Sequence, residues 1–477
     1  MRTTAPPPGP PSDQPSGRPS EQPPEQPSKP SEQPPAGAGR EHRSGRQDWL
    51  NWAGNQRATC RRVLRPRTVD ELQTMVRDAA DAGARVKPVG AGHSFTGAAC
   101  ADDHRLELDA MESSPVTVNT GARLVTVPGQ MTLHEINALL VSYGLALPNL
   151  GDVDRQTIAG AIATGTHGTG ATHRGLAGAV DALTLVTAGG QVVSCSERSD
   201  PDLFGAARIG LGALGVVTDV TLRCVDAFVL RARERPGKLA DVLAGLPDLV
   251  DGNDHVEFYW FPYTDLVRVK INNRVPMDSQ PLPAWRGWFD DEFLSNTVFD
   301  GVCRLGRTVP RLVPALNGIC ARAVGARTYT GRSDRVFCSS RRVLFTEMEY
   351  ALPRDALSEA LLALRDIVDR SALRVMMPVE VRFCAADDSW LSHSYQRDSG
   401  YIAIHQYSGM PYEAYFRAFE QVATSLGGRP HWGKLHYRTA ETLRPAYPRF
   451  DDFLAVRDRL DPDRMFANDY TAQVLGP

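Results

Sequence analysis

Cysteine is scarce in this sequence, and long apolar runs are missing. The eight cysteines among 477 residues are scattered, and no two have the C-x-x-C spacing. This pattern disfavours a disulfide scaffold or a zinc site and favours a reducing compartment, so we expect a cytoplasmic protein without a bound metal. No apolar run is as long as a membrane span, and the net charge of −3 gives no global reason to expect nucleic acid or an anionic membrane as partner.

The first 47 residues lack the side chains that build a core. No Val, Ile, Leu, Phe, Tyr or Trp precedes Trp49, whereas 13 of the 35 prolines lie before residue 36. Such a segment cannot bury enough apolar surface to offset its ordering entropy. We therefore expect residues 1–47 to form a disordered, proline-rich tail.

The rest of the chain is too long for one core, and its strands and helices do not alternate regularly. Thr68 to Gly83 and Thr132 to Gly144 are predicted helices, each with a capping residue at its start and glycine at its end. This mixed order favours an α+β fold over a Rossmann sheet. We expect one domain over 48–226, a second built on an antiparallel sheet over 227–435, and a closing segment over 436–477.

A glycine-rich turn with one histidine follows the predicted strand Arg85 to Val89. A dinucleotide fingerprint would need glycine where Phe95 stands, and a Walker-type loop would need lysine and a hydroxyl where Ala98 and Ala99 stand. Glycines let backbone N–H groups approach a ligand, and successive N–H groups that face one way form an anion nest. Two interpretations stay open: a tight surface turn with an incidental histidine, or a loop that holds a pyrophosphate.

A second passage, rich in glycine and threonine, runs from Gly151 to Gly170 and contains His167. Small residues let another element or a flat ligand approach the backbone closely. Tight packing of a helix on a sheet is one explanation. Two such loops, each with a histidine, instead favour a large ligand that carries a pyrophosphate.

Charged residues recur in strand-like and loop segments of the second half. Glu380 and Arg382 are two positions apart on a predicted strand and therefore share a face. They form either a surface ion pair or a site that anchors hydroxyl groups. On the next predicted strand His405 faces away from Gln406, so only one of the two points to such a site. Lys434 follows a His-Trp-Gly segment and is a further candidate, because a partly buried lysine can take part in proton transfer.

Together these segments resemble the vanillyl-alcohol-oxidase-type flavoproteins, and within them the sugar-1,4-lactone branch that includes L-gulonolactone and D-arabinono-lactone oxidases. The resemblance covers the chain from Trp49 to the C-terminus, and alditol oxidases are close cousins. Four motifs carry it in this order, with Asp-Pro-x-x-x-Phe near the end: Val-Gly-x-Gly-His-Ser at 89–94, Ala-Thr-Gly-Thr-His-Gly-Thr-Gly at 163–170, Val-Glu-Val-Arg-Phe at 379–383 and His-Trp-Gly-Lys at 431–434.

The resemblance implies that FAD lies across the first domain, with its pyrophosphate on the backbone of residues 90–94. It also implies a covalent bond from His93 to the flavin ring; the alternative is that FAD is held without this bond. The cofactor contacts that the resemblance implies are Val89, Gly90, Ala91, Gly92, His93, Ser94, Gly151, Asp152, Thr157, Gly160, Thr164, Gly165, His167, Gly168 and Val217.

The implied reaction is oxidation of a CH–OH group of an aldono-1,4-lactone, in which Glu380, Arg382, Lys434 and His405 hold and deprotonate the hydroxyl. Oxygen or another electron acceptor is the second partner, and Gly151 is expected to leave room for oxygen beside the flavin. An open-chain alditol is the alternative substrate. The alternative of another class is a flavin-fold binding module without catalysis, with the proline-rich tail as its partner ligand.

Overall fold

The structure is a computed structural model and describes residues 47–112, 114–277, 279, 297–339 and 342–477. The tail expected over 1–47 lies outside these residues, apart from Gln47. Gln47 pairs with Cys60 in a two-stranded sheet, which corrects the end of the expected tail by one residue. Helices, parallel strands and antiparallel strands follow one another irregularly, so the expected α+β class is confirmed.

Short strands build two main sheets in the first half of the described chain. In chain order they are β1 (Gln47–Leu50), β2 (Arg57–Cys60), β3 (Arg62–Leu64), β4 (Val86–Pro88), β5 (His104–Leu106), β6 (Thr117–Asn119), β7 (Leu124–Pro128), β8 (Leu145–Ala146), β9 (Val180–Val186), β10 (Val192–Ser196), β11 (Val216–Arg223) and β12 (Val225–Asp226). A parallel sheet has the order β3–β5–β4, and an antiparallel sheet has the order β10–β9–β11–β7–β6.

The second half is organised by one eight-stranded antiparallel sheet with the order β16–β13–β15–β14–β18–β19–β17–β20. Its strands are β13 (Val229–Lys238), β14 (His255–Trp260), β15 (Leu266–Val275), β16 (Arg327–Arg332), β17 (Phe345–Pro353), β18 (Val379–Cys384), β19 (Ser399–Tyr407) and β20 (Arg429–Pro430).

The α-helices of the described residues are α1 (Val69–Asp81), α2 (Leu133–Ser142), α3 (Ile158–Ala163), α4 (Pro201–Ala207), α5 (Leu239–Ala244), α6 (Leu246–Asp251), α7 (Phe299–Thr308), α8 (Val313–Ala323), α9 (Ser333–Phe337), α10 (Leu357–Arg370), α11 (Glu413–Ser425), α12 (Ala440–Leu443), α13 (Phe450–Leu460) and α14 (Asp469–Leu475). The capping box of Thr132 and Glu135 is complete. Thr68 caps α1, but the Glu71 carboxylate accepts from the N–H of Arg67, so that box is only half formed.

The two faces of the large sheet have opposite character because side chains alternate along each strand. On β18, Val379, Val381 and Phe383 belong to an apolar core that α10 and α11 cover. Glu380 and Arg382 lie on the other face and are nevertheless buried. Strands β14, β17 and β19 alternate in the same way, so a buried, polar sheet face lies opposite the helix-covered core.

A buried lysine fixes the strand that leads into the histidine turn. The ammonium of Lys87 donates to the carbonyl oxygens of Leu211, Gly212 and Phe466 at 3.2–3.3 Å. The Asp461 carboxylate in turn accepts from the N–H of Phe466 at 2.9 Å. The Asp-Pro-x-x-x-Phe motif therefore acts as a structural connection between the C-terminal segment and β4.

Deleting residues 1–46 should change neither the thermal midpoint of unfolding nor turnover, because the tail has no large apolar side chain to dock. Deleting residues 1–50 is the matched comparison. This longer deletion removes β1 and buried Trp49, which is 4% exposed, and should lower the midpoint by several degrees. Calorimetry of both variants checks this; an equal loss in the shorter deletion would show that the tail packs.

Candidate active site

The turn after β4 presents a row of unused hydrogen-bond donors. In the described part of the chain, the backbone N–H groups of residues 90–94 donate to no protein acceptor, whereas those of Val89 and Phe95 are paired. Gly92 has a φ of 69°, a conformation that favours glycine. Consecutive unpaired donors of this kind form an anion-binding nest, so the turn has the donor set that a pyrophosphate needs.

His93 has the protonation state that a nucleophilic imidazole needs. Its ring stacks on Trp52 with 5.7 Å between ring centroids. Burial, together with the nearby charges of Lys434 and Arg155, lowers the pKa of His93 to about 4. The imidazole is therefore neutral at neutral pH and keeps a lone pair on one ring nitrogen.

Protein packing explains two glycines of the second loop. A methyl group at Gly168 would overlap the carbonyl oxygen of Leu150, and one at Gly151 would lie 2.9 Å from the carbonyl oxygen of His167. The first methyl cannot be accommodated without movement of the backbone. The second also meets backbone, so packing is a further reason for glycine at position 151, beside the room for oxygen that the sequence analysis expects.

Helix α3 brings further predicted cofactor residues beside the histidine turn. Thr157 caps its N-terminus, Gly160 lies within it and Thr164 ends it. A methyl group at Gly90 would overlap the Thr157 hydroxyl, so the two loops touch. Val217 lies on β11, which packs against α3.

Glu380 and Arg382 lie side by side on the polar sheet face. They are 8% and 9% exposed, which excludes the surface ion pair. A guanidinium nitrogen of Arg382 lies 2.6 Å from Glu380 Oε1 and 2.5 Å from Asp152 Oδ1. Burial raises the pKa of Glu380, with Arg382 opposing the shift and Asp152 and Glu257 adding to it. The Arg382–Asp152 ion pair joins the loop after Gly151 to the large sheet.

The neighbouring strands supply three residues that the sequence analysis missed. Glu257 Oε2 lies 3.3 Å from Arg382 Nε, and Lys270 lies 2.8 Å from the other oxygen of Glu257. The Tyr259 hydroxyl donates to Glu380 Oε1 at 2.8 Å. Glu257 was a usable signal in the sequence: it is the one carboxylate of the otherwise largely apolar strand β14, and a buried charge needs a partner of opposite charge.

Lys434 and His405 share the carboxylate of Glu347. The Lys434 ammonium pairs with Glu347 and lies 5.1 Å from the centre of the Phe95 ring. His405 Nε2 lies 3.5 Å from Glu347, and its Nδ1 lies 3.0 Å from the Pro378 carbonyl oxygen. Burial lowers the pKa of His405, but Glu347 and Glu380 together outweigh burial, so the pKa is raised. Both ring nitrogens of His405 thus face hydrogen-bond acceptors. This arrangement favours His405 as a hydrogen-bond donor over His405 as the base that takes the substrate proton.

His167 is held as a buried cation. Its Nε2 lies 3.1 Å from Glu349, and its Nδ1 lies 2.9 Å from the Gly168 carbonyl oxygen. Burial alone would lower the pKa of His167, but Glu349 and Cys384 together outweigh burial and raise the pKa to about 10. The positive charge of His167 therefore lies in the second loop, against the sheet face that carries Glu347 and Glu349.

Direct contacts bring the histidine turn to the His-Trp-Gly-Lys segment. Phe95 N–H donates to the Gly433 carbonyl oxygen at 2.7 Å, and the Thr96 hydroxyl donates to that of Trp432 at 3.0 Å. Gln406 on β19 points away from the site, where its side chain donates to the carbonyl oxygens of Arg374 and Pro411. Of the pair on β19, His405 is the residue that faces the site.

Comparison with known proteins identifies the family to which the chain belongs. Residues 220–474 match the D-arabinono-1,4-lactone oxidase family, and residues 60–196 match an FAD binding domain. An L-gulono-1,4-lactone dehydrogenase of Mycobacterium tuberculosis is 46% identical over 90% of this chain and 99% of its own length. The chain belongs to the D-arabinono-1,4-lactone oxidase family.

Two further relatives of this chain are named as oxidases. An L-gulonolactone oxidase of Bos taurus is 35% identical over 89% of this chain and 97% of its own length, and an alditol oxidase of a Streptomyces species is 33% identical over 89% and 98%. A crystal structure of cholesterol oxidase from B. sterolicum has a TM-score of 0.73 at 19% identity, covering 94% of this chain and 99% of that one, which shows a shared fold.

The residues of this family member fit FAD, which confirms the expected cofactor. The unpaired N–H groups of residues 90–94 suit a pyrophosphate, and they lie within the stretch that matches the FAD binding domain. No helix among the described residues is long and apolar enough to cross a membrane.

Proposed function

We propose that this protein oxidises a CH–OH group of an aldono-1,4-lactone, and that bound FAD supplies the hydride acceptor. The observation that carries the proposal is the buried polar sheet face, where Glu380 and Arg382 are joined to Asp152 beside the FAD-binding loops. The names of the relatives support a sugar lactone as the substrate. Residues 48–226 would be the FAD-binding domain, 227–435 the substrate domain and 436–477 the closing segment.

Glu380 and Arg382 would bind the reacting end of the substrate. The hydroxyl proton passes to the Glu380 carboxylate as the hydride leaves the same carbon, so a carbonyl group forms there. The raised pKa of Glu380 makes its carboxylate a stronger base than an exposed one. Arg382 donates hydrogen bonds to the substrate oxygens, held in place by its carboxylate partners.

Lys434 and His405 would hold the far side of the same substrate. Both side chains lie against Glu347 and can donate hydrogen bonds, so they would stabilise negative charge on substrate oxygens. In this arrangement His405 orients the substrate and does not take its proton.

The second substrate is proposed to be molecular oxygen, at least in part. The relatives include both a dehydrogenase and oxidases, so the acceptor needs a direct assay. Hydrogen peroxide formed under air should be measured against turnover with an artificial acceptor under nitrogen. A Gly151→Ala variant is a poor test, because its methyl group would press on the His167 carbonyl oxygen.

A substrate panel tests the proposed reaction. Aldono-1,4-lactones should turn over with an artificial acceptor at much higher kcat/KM than open-chain alditols, the alternative suggested by the alditol oxidase relative. The reverse order would assign the protein to alditols.

A binding module without catalysis is disfavoured because the buried charges at Glu380 and Arg382 are costly to keep without a use. A cytoplasmic location is supported by the eight unpaired cysteines.

Lys270→Met should move the acidic limb of the pH profile of kcat/KM to higher pH. Glu257 then keeps only Arg382 as a counter-ion, and its less compensated negative charge raises the pKa of Glu380 further. Glu380 must be ionised to accept a proton, so activity fails at a higher pH as the solution is acidified. Lys270→Arg should restore the profile, and exposed Lys238→Met should leave it unchanged. A lower thermal midpoint with an unmoved limb would limit Lys270 to a structural role.

A further inference from the structure

Helices α7 and α8 expose an unusual amount of apolar surface. On α8 the solvent-facing residues Ala315, Ile319 and Ala323 recur at helical spacing, and exposed Leu312, directly before the helix, continues that spacing. Ile319 is 64% exposed, the largest value among the bulky apolar side chains of the described residues. Leu305 in the last turn of α7 is 45% exposed, and Val309 directly after that helix is 40% exposed. We call these six residues the apolar face.

The opposite side of α8 already anchors the helix to the protein. Val313, Asn317 and Ala321 are buried at a spacing of four residues. The Asn317 side chain donates to the Val375 carbonyl oxygen at 2.9 Å. The apolar face is therefore not needed for the core, and exposed apolar surface of this kind marks an interaction site.

The charge around the apolar face is strongly one-sided. Residues 299–326 contain four arginines, at 304, 307, 311 and 322, and one carboxylate, Asp300, which pairs with Arg304 at 2.7 Å; the net charge of this stretch is +3 (four minus one), whereas that of the whole chain is −3. Arg311 and Arg322 are exposed and flank the apolar stripe of α8. Apolar side chains bordered by basic ones bind the interface of a membrane that contains anionic lipid.

We propose that the apolar face of α7 and α8 docks on an anionic lipid surface. A second copy of this chain is a poorer occupant, because a twofold contact would bring the arginines of both copies together. A neutral apolar partner would leave the flanking arginines unused. The protein would thus lie against a lipid surface while its catalytic residues act on a water-soluble substrate.

The test is co-sedimentation of the full-length, FAD-loaded protein with vesicles. Binding is expected to vesicles of phosphatidylglycerol mixed with phosphatidylcholine, to weaken as salt is raised, and to be absent with phosphatidylcholine alone. The double variant Leu312→Glu, Ile319→Glu should lower the partition coefficient by about tenfold or more. Val192→Glu, at a residue on β10 that is 45% exposed, is the matched control and should bind normally.

Three results would each overturn the proposal, two from the vesicle experiment and one from the oligomeric state. The first is wild-type protein that stays in solution with anionic vesicles at low salt, and the second is binding that the double variant does not weaken. The third is a dimer in sedimentation velocity that the double variant dissociates, since this would assign the face to a second copy. Turnover without vesicles and the thermal midpoint should be unchanged in the double variant, which shows that it is folded.

Discussion

A Glu380→Gln variant is expected to lose about a hundredfold or more in kcat/KM with an aldonolactone, while its flavin spectrum stays close to that of the wild type. Glutamine keeps the shape of the side chain and can still accept from Tyr259, but it cannot take the hydroxyl proton. Loss of a positioned base or charged contact typically costs a factor of about 10² to 10⁴. Steady-state kinetics with an artificial acceptor measures the effect.

Glu234→Gln is the matched control for this variant. Glu234 is a buried carboxylate of the same sheet, 4% exposed, and its Oε1 lies 2.8 Å from Arg327. Its loss should lower the thermal midpoint without lowering kcat/KM. Equal kinetic losses in the two variants would mean that any buried charge of the sheet has the same effect, and that Glu380 has no special role.

The pH profile gives a second test of Glu380. Its raised pKa means that the wild-type carboxylate is protonated at a pH above the usual range of glutamate. The value of kcat/KM should therefore fall, as the solution is acidified, before an ordinary carboxyl would titrate. The Gln variant should lack this limb, and a limb that persists in it would assign the titration to another group.

A His93→Ala variant is expected to release all of its flavin when the protein is precipitated with acid, whereas the wild-type pellet stays yellow. The neutral imidazole of His93 lies within the donor-rich turn, where it can form a covalent bond to the flavin ring. A bonded imidazole withdraws electrons and eases hydride acceptance, so turnover should fall as well. Absorbance of pellet and supernatant measures the effect.

His173→Ala is the control for the histidine substitution. His173 is partly buried, lies three residues after the second loop and stacks on His255 at 4.5 Å between ring centroids, yet no bond to FAD is expected there. This variant should keep its flavin in the pellet. Wild-type protein that releases its flavin completely would contradict the covalent bond, although not the binding of FAD itself.

Local patterns were sufficient for much of the site. Alternation along one strand placed Glu380 and Arg382 on a common face, and glycine spacing located the turn around His93. Both features depend on neighbours in the sequence. The helix starts at Thr68 and Thr132 were equally local, although the half-formed box at Thr68 shows that a capping pattern does not fix both hydrogen bonds.

Local sequence patterns could not identify the site residues that neighbouring strands of the sheet supply. Glu257, Tyr259 and Lys270 reach the site because β14 lies between β15 and β18 in the sheet, which the chain order does not reveal. Glu347 and Glu349 enter on β17, beside β19. Their carboxylates raise the pKa of His405 and His167, so the electrostatics of the site depends on contacts between distant segments.

Reduction of the flavin by a sugar lactone tests the central claim most directly. Purified protein should be mixed without oxygen with L-gulono-1,4-lactone, D-arabinono-1,4-lactone or an alditol, and the visible flavin absorbance followed. The account predicts rapid bleaching by at least one lactone, slow or no bleaching by the alditol, and loss of bleaching in the Glu380→Gln variant. Protein that retains its yellow colour with every lactone but is bleached by the alditol would contradict the account.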